Sequence, residues 1–295
     1  MFIGELAALG AAFLWSTSSF VFTTASLRIG TIQLNVSRMV LAAILLMITI
    51  ALFGINYSMT TPQVVYLSIS GFIGLVIGDT ALFKAFKEIG PRVSMLLMSF
   101  NPAIAALTAY FLIGETLSLW VVVGIGITLA GIFIVILERP GGVEKKFHIT
   151  KAGVFFGFIA AAGQGIGLVF AKMAYQEGDI HSLVATLVRI AAAVLTMLPM
   201  AMLLGRYTNP FRVFRDDKKS LGLVAIGSII GPYLGITFSF LAIIYTKVGI
   251  ASTLMATVPI IMLPLSRYIY KERLNWQAIA GAMFAVMGVA ILFLV

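Results

Sequence analysis

Apolar runs of about twenty residues recur along the chain between short polar breaks, the length a helix needs to cross about 30 Å of hydrocarbon. They predict ten transmembrane helices, at 3–24, 32–54, 63–86, 92–112, 118–137, 151–174, 181–204, 219–244, 249–270 and 275–294. A β-barrel would instead show alternating segments of about ten residues, and the sequence has none. The fold class expected is therefore an all-α integral membrane protein. The longest polar break holds Pro140-Gly141-Gly142, strong turn formers. It divides the chain into a first unit (1–139), a linker (140–150) and a second unit (151–295). A second polar stretch, 206–220, joins the seventh and eighth spans.

The two units repeat each other. Shifting the numbering by 157 carries Gly74 onto Gly231, Gly78 onto Gly235, Thr80 onto Thr237 and Pro102 onto Pro259. The same shift carries Glu115 onto Glu272, Leu117 onto Leu274, Gly124 onto Gly281 and Gly131 onto Gly288, with no insertion. Gly, Pro and Glu seldom match by chance in an apolar sequence, so the constant offset reads as an internal duplication. The earlier spans match less closely. Gly10 pairs with Gly157, Gly30 with Gly178 and Arg38 with Arg189, while the offset drifts from 147 to 151. Five spans per copy is an odd number, so the second copy must enter the bilayer from the opposite side. Inverted repeats of this kind are the signature of a secondary transporter, with its solute site near the midplane where the copies meet.

Composition supports the membrane reading: 61% of residues are hydrophobic and 11% charged, against about 25% charged in a soluble domain. Without cysteine neither a disulfide framework nor a thiolate metal site can form. The net charge of +9 lies in loops, which suits anionic lipid headgroups and not nucleic acid. The first basic residue, Arg28, follows the first apolar run, unlike a signal peptide, so the first helix is expected to be retained. Basic residues crowd the loops 1–2, 3–4, 5–6, 7–8 and 9–10, while the other loops hold little beyond Lys172 and Lys247. The positive-inside rule places the basic loops in the cytoplasm and both termini outside.

Charge inside a span is costly, a few kcal/mol per group at a helix centre, and three residues stand out. Arg38 and Arg189 correspond under the repeat; each reads as a functional or inter-helix group, or as a side chain snorkelling to the headgroups. Asp79 is the acidic residue set well inside a span. It reads as a proton site, an ion-pair partner for an arginine, a hook for a substrate amine, or a structural bond between helices. Its counterpart is Ile236, so its role is not duplicated. Lys84 is turned away from Asp79 and is expected to face Glu88 at i, i+4. Softer candidates are Trp15 and Ser19, roughly matching the Gln164 region, with Asn101, Tyr233 and Thr237. Pro102 and Pro259 are expected to open backbone carbonyls toward a cavity. Gly74, Gly78, Gly231 and Gly235 lie at GxxxG spacing, which lets helix backbones approach, and Glu115 and Glu272 read as end caps or gates. His148 and His181 lie apart in loops and imply no metal, and no cofactor motif is present.

Several motifs taken together resemble the drug/metabolite transporter superfamily, specifically its ten-helix EamA-type permeases. They are Trp15-Ser16, Ser37-Arg38-Met39, Gly78-Asp79-Thr80-Ala81-Leu82-Phe83-Lys84-Ala85-Phe86, Asn101-Pro102 and Gly114-Glu115-Thr116-Leu117-Ser118, echoed by Val258-Pro259 and Lys271-Glu272-Arg273-Leu274. The resemblance covers essentially the whole chain. It implies export of a small polar metabolite, an amino acid or related solute, across the cytoplasmic (inner) membrane. It also implies termini in the cytoplasm, opposite to the loop charge. Proton coupling through Asp79 or facilitated exchange would drive it, since no nucleotide-binding motif is present, and the expected state is a monomer or weak homodimer. A flippase for a lipid-linked sugar is the alternative. An embedded enzyme lacks the paired nucleophile and base it would need, and a scaffold would show no flux.

Overall fold

The structure, a computed structural model, describes residues 2–114, 118–137, 147–245, 254–271 and 274–294. Among these every regular element is helical. Helix α1 (Ile3–Ile29) turns into α2 (Thr31–Leu52) at the single residue Gly30, whose φ of 82° and ψ of 161° favour a residue without Cβ. The next pass joins α3 (Thr61–Gly71), a π-helical segment π1 (Phe72–Gly78) and α4 (Asp79–Met98). Inside α4 the chain reverses at Gly90 (φ 77°, ψ 167°). Pro91 follows, with its missing N–H and fixed φ suited to a helix start. The third pass thus ends near residue 89. The fourth runs from there through α5 (Asn101–Ile113), and α6 (Leu119–Ile136) completes the first unit.

The second unit comprises α7 (Lys151–Gln176), α8 (Ser182–Leu203), a short α9 (Pro210–Asp216), α10 (Lys218–Ser228), a second π-helical segment π2 (Ile229–Gly235), α11 (Ile236–Tyr245), α12 (Val258–Tyr270) and α13 (Trp276–Leu294). Among the described residues six helical stretches have the length and hydropathy to cross a bilayer, and α5, α6, α12 and α13 are shorter apolar helices. The part 249–253 of the ninth expected span, with Glu115 and Glu272, lies outside the described residues. Large apolar side chains such as Trp120, Phe133, Leu195, Leu203 and Trp276 stay exposed, as in a protein whose outer surface meets lipid. This is a multi-pass membrane protein.

The offset of 157 governs the backbone as well as the residues. It carries α3 onto α10, π1 onto π2 and α5 onto α12 with both ends in register. Gly114, the left-handed cap of α5 (φ 68°), maps onto Lys271, the left-handed cap of α12 (φ 54°). Ser118 accepts from Val121 N at 3.3 Å at the start of α6. Its counterpart Asn275 accepts from Ala278 N at 2.9 Å at the start of α13. Conformation is retained where side chains have diverged, as expected of a duplicated unit whose caps fix the helix ends.

The units interlock. The first helix of each packs on the third pass of the other: α7 lies along α3, π1 and α4, and α1 along α10, π2 and α11. Small residues permit the approach. A Cβ on Gly163 of α7 would sit 2.7 Å from Gly78 Cα and 2.9 Å from Ile73 O. Gly231 faces Ser18 and Phe22 of α1, and Gly235 faces Trp15. Helix α2 packs on α8, and α6 on α13.

Hydrogen bonds join the units at their loops, among them two clamps at repeat-equivalent positions and a pair exchanged between Gln33 and Thr208 at 3.1 and 3.0 Å. At the start of α3, Thr60 and Gln63 form a capping box, and Gln63 Nε2 donates to Gly178 O at 3.1 Å in the α7–α8 turn. Thr60 and Gln63 map onto Asp217 and Ser220 at the start of α10. There Arg28, beside the α1–α2 turn, donates from Nε and Nη2 to Asp217 Oδ2 and Oδ1 at 2.8 and 2.9 Å. Ser220 Oγ donates to Asp217 Oδ2 at 2.6 Å. The Arg28 fork, and after it the Ser220 hydroxyl, hold the Asp217 carboxyl well below the usual carboxylate range.

Candidate functional site

The interior polar site begins with a change of helical register. In an α-helix the Asp79 N–H would donate to Leu75 O; in π1 it reaches Gly74 O instead. Leu75 O is thereby left to accept Asn35 Nδ2 at 2.9 Å, and the same amide nitrogen donates to Thr80 Oγ1 at 3.0 Å. Asn35 lies one turn before Arg38 on α2, and its Oδ1 accepts from Arg38 Nε and Nη2, both at 3.1 Å. A charge-assisted bond joins Arg38 Nη2 to Asp79 Oδ2. The other carboxylate oxygen accepts from Gln164 Nε2 of α7 at 2.6 Å, and that nitrogen also donates to Gly74 O at 3.1 Å. The rings of Phe83 and Phe22 lie 4.8 and 5.4 Å from Arg38 Cζ, within cation–π range. Arg38, Asp79 and Asn35 are all buried. A buried ion pair persists when hydrogen bonds satisfy its remaining atoms, and here both carboxylate oxygens are engaged.

Beside this pair is a cavity of about 50 Å³, space for a few waters where one needs roughly 10–15 Å³. Arg38, Met39 and Ala42 of α2 line it with Leu75 of π1; Thr186, Arg189 and Ile190 of α8 face them, with Pro232 of π2 and Ile236 of α11. Both units and both π-segments contribute. The repeat partners Arg38 and Arg189 share this one space, and so does Ile236, the counterpart of Asp79. Arg189 differs from Arg38 in its bonding, since its Nε is sealed from solvent with no hydrogen-bond partner. Its guanidinium lies against Gly74, where a Cβ would sit 3.4 Å from Nη2. The group holds two guanidiniums and one carboxylate, a surplus of one positive charge. Among the described residues no cluster of His, Asp or Glu is arranged to hold a metal.

The family model described as the EamA-like transporter family matches residues 2–137 and 151–294. The chain belongs to the EamA-like transporter family. This places it in the drug/metabolite transporter superfamily. A protein of Clostridium kluyveri described as an uncharacterized transporter is 22% identical over 143 residues, 48% of this chain and 45% of that protein. The chain thus spans about half the length of this curated relative. A crystal structure 21% identical in sequence superposes with a TM-score of 0.64, covering 99% of this chain and 96% of that one. At that identity it shows the shared fold alone.

Within this EamA-like fold, two of the residues expected from sequence, Arg38 and Arg189, line the cavity, and two more, Asp79 and Gln164, are joined to Arg38 beside it. The rest lie elsewhere. Ser19 Oγ donates to Ser16 O at 2.6 Å within its own helix and touches Met262 Sδ at 3.5 Å, and Trp15 packs on Gly235. Tyr233 OH bonds Thr49 Oγ1 at 2.8 Å, and Thr237 Oγ1 donates to Tyr233 O at 2.9 Å. Asn101 starts α5 against Gly165 of α7, with its buried Oδ1 unpartnered. Pro102 and Pro259 occupy the first turns of α5 and α12, where no N–H is needed. Lys84 differs from expectation: its Nζ lies 4.8 Å over the Phe156 ring, and Glu88 accepts from Thr150 Oγ1 at 3.3 Å. Contacts from α4 across to α7 replace the pair expected along one helix. The residue missed from sequence is Asn35, whose i, i+3 spacing to Arg38 was its available signal.

Proposed function

We propose that this EamA-like protein is a secondary transporter that carries a small polar metabolite, an amino acid or related solute, outward across the cytoplasmic membrane. It would work by alternating access between two inverted five-helix units. The observation that carries the reading is the meeting of Arg38 and Arg189, repeat partners from the two units, in one interior cavity between both π-segments. The two segments matched by the family model also support two copies. Rocking one unit against the other would expose this seam to either face in turn, and π-turns inside longer helices are frequent at functional sites.

Asp79 would carry a coupled proton only by leaving its bonds to Arg38 and Gln164, so coupling would require the ion pair to open. Flux of labelled solutes in proteoliposomes across a pH series tests the proposal. Arg189→Gln and Asp79→Asn should each slow flux about tenfold or more, the loss of about 1.4 kcal/mol of differential stabilisation. Unchanged flux in Arg189→Gln removes the cavity as the site. A pH profile unmoved by Asp79→Asn removes the coupled proton, and absence of flux for every solute removes the transporter reading.

A further inference from the structure

We infer that the solute is recognised as an anion: a small organic carboxylate with an apolar body, bound through its carboxylate to Arg189, with no group reserved for an amine. The inference rests on the transporter reading of the same cavity and names its substrate class.

Charge accounting leads to it. Of the two guanidiniums lining the cavity, Arg38 has its charge matched: Asn35 Oδ1 and Asp79 Oδ2 accept from its Nε and Nη2, and the Phe83 and Phe22 rings lie against it. Asp79 is equally committed, with one oxygen on Arg38 and the other on Gln164 at 2.6 Å. An incoming ammonium would therefore find no free carboxylate there. Among the described residues lining the cavity, Arg189 is the charged group with an orphaned donor, its Nε. A sealed N–H donor left without a partner is costly, and a carboxylate is the geometric complement of a guanidinium, able to accept two parallel N–H bonds. With that anion bound, the interior would hold two guanidiniums and two carboxylates and be neutral. Thr186 is the remaining polar side chain lining the cavity, and the rest of the wall is apolar, with Met39, Ala42, Leu75, Ile190 and Ile236. Such a wall fits a hydrocarbon body.

The repeat offers a direct way to test this. Ile236 stands where the first unit has Asp79 and lines the cavity, so Ile236→Asp should give Arg189 the partner that Arg38 already has.

The experiment uses the purified full-length protein and three probes sharing one branched body: isovalerate (carboxylate), isobutylamine (amine) and valine (both). A ligand that binds only the folded state raises its melting temperature. Isovalerate and valine should give saturable upward shifts, and isobutylamine none. Arg189→Gln should weaken isovalerate at least tenfold in Kd, and Arg189→Lys should recover part of it. Should Arg189→Gln not fold, Ile236→Asp carries the test and should abolish the isovalerate shift. A shift by isobutylamine without isovalerate, by valine without isovalerate, or by neither acid overturns the inference. So does unchanged isovalerate binding in Ile236→Asp. Flux separates it from the parent reading. Isovalerate bound but never moved in proteoliposomes leaves the anion assignment and removes transport, whereas isobutylamine moved without acid binding does the reverse.

Discussion

Two acidic side chains with similar partners occupy opposite settings. Asp79 is enclosed with Arg38, Asn35 and Gln164, whereas Asp217 meets Arg28 at the protein's edge with 25% of its side chain exposed. Solvent screens the second pair, and such pairs add little to stability, yet it leaves a measurable sign. Because the Arg28 fork and Ser220 depress the folded-state pKa of Asp217, its contribution is complete above the unfolded value of about 3.9. It is lost as pH falls through the folded value. The melting-temperature difference between wild type and Asp217→Asn should be full near neutral pH and shrink as pH drops below about 4. A difference that grows on acidification would contradict the assigned partner. Partner choice is also where sequence reading stops. Arg38, Asp79, Gln164 and Arg189 were legible as polar groups in apolar spans. Which arginine takes the carboxylate depends on helix rotation and on the π-turn that releases Leu75 O, neither of which periodicity encodes.

At the level of helices the chain was more readable. The 157-residue offset anticipated matched helix ends, and the expected span limits, at 24 and 32 and at 86 and 92, anticipated the breaks near Gly30 and Gly90. The π-segments were not visible, because FIGLVIG and IIGPYLG read like ordinary apolar helix and the extra residue per turn is set by what packs outside. Nor did GxxxG spacing tell which helix would fill the grooves. The structure puts α7 against π1 through Gly163, where an added Cβ would meet backbone at 2.7 and 2.9 Å and no side chain could swing aside. Gly163→Ala should therefore cost about 1–3 kcal/mol, as overpacking does. The control Gly126→Ala, with open space around its Cβ position, should be near neutral. Thermal unfolding in detergent separates them, and equal melting of the two variants would remove the close packing.

For the whole molecule, inversion of the units is the property everything proposed depends on, and the absence of cysteine makes it easy to check. Ser58 and Arg215 are repeat-equivalent under the same offset, and both are exposed in polar connections. Single cysteines, Ser58→Cys and Arg215→Cys, should react with a membrane-impermeant maleimide from opposite sides of sealed vesicles. Labelling from one side would mean parallel copies and end the alternating-access proposal. The same labels would orient the protein, deciding between the loop charges and the family resemblance.

The two clamps would make the doors of the proposed carrier chemically unequal. In the proposed inverted pair they guard opposite faces, one by the neutral amide of Gln63 on Gly178 and the other by the ionic fork of Arg28 on Asp217, beside the neutral Gln33–Thr208 pair. Electrolyte weakens only the ionic one, since the Debye length falls from about 8 Å at physiological strength to about 3 Å at 1 M. Raising salt should speed labelling of a cavity cysteine such as Thr186→Cys from the Arg28 side and leave the other side unchanged. A cell's ionic strength would then act as a thumb on one hinge, setting which way the resting carrier faces.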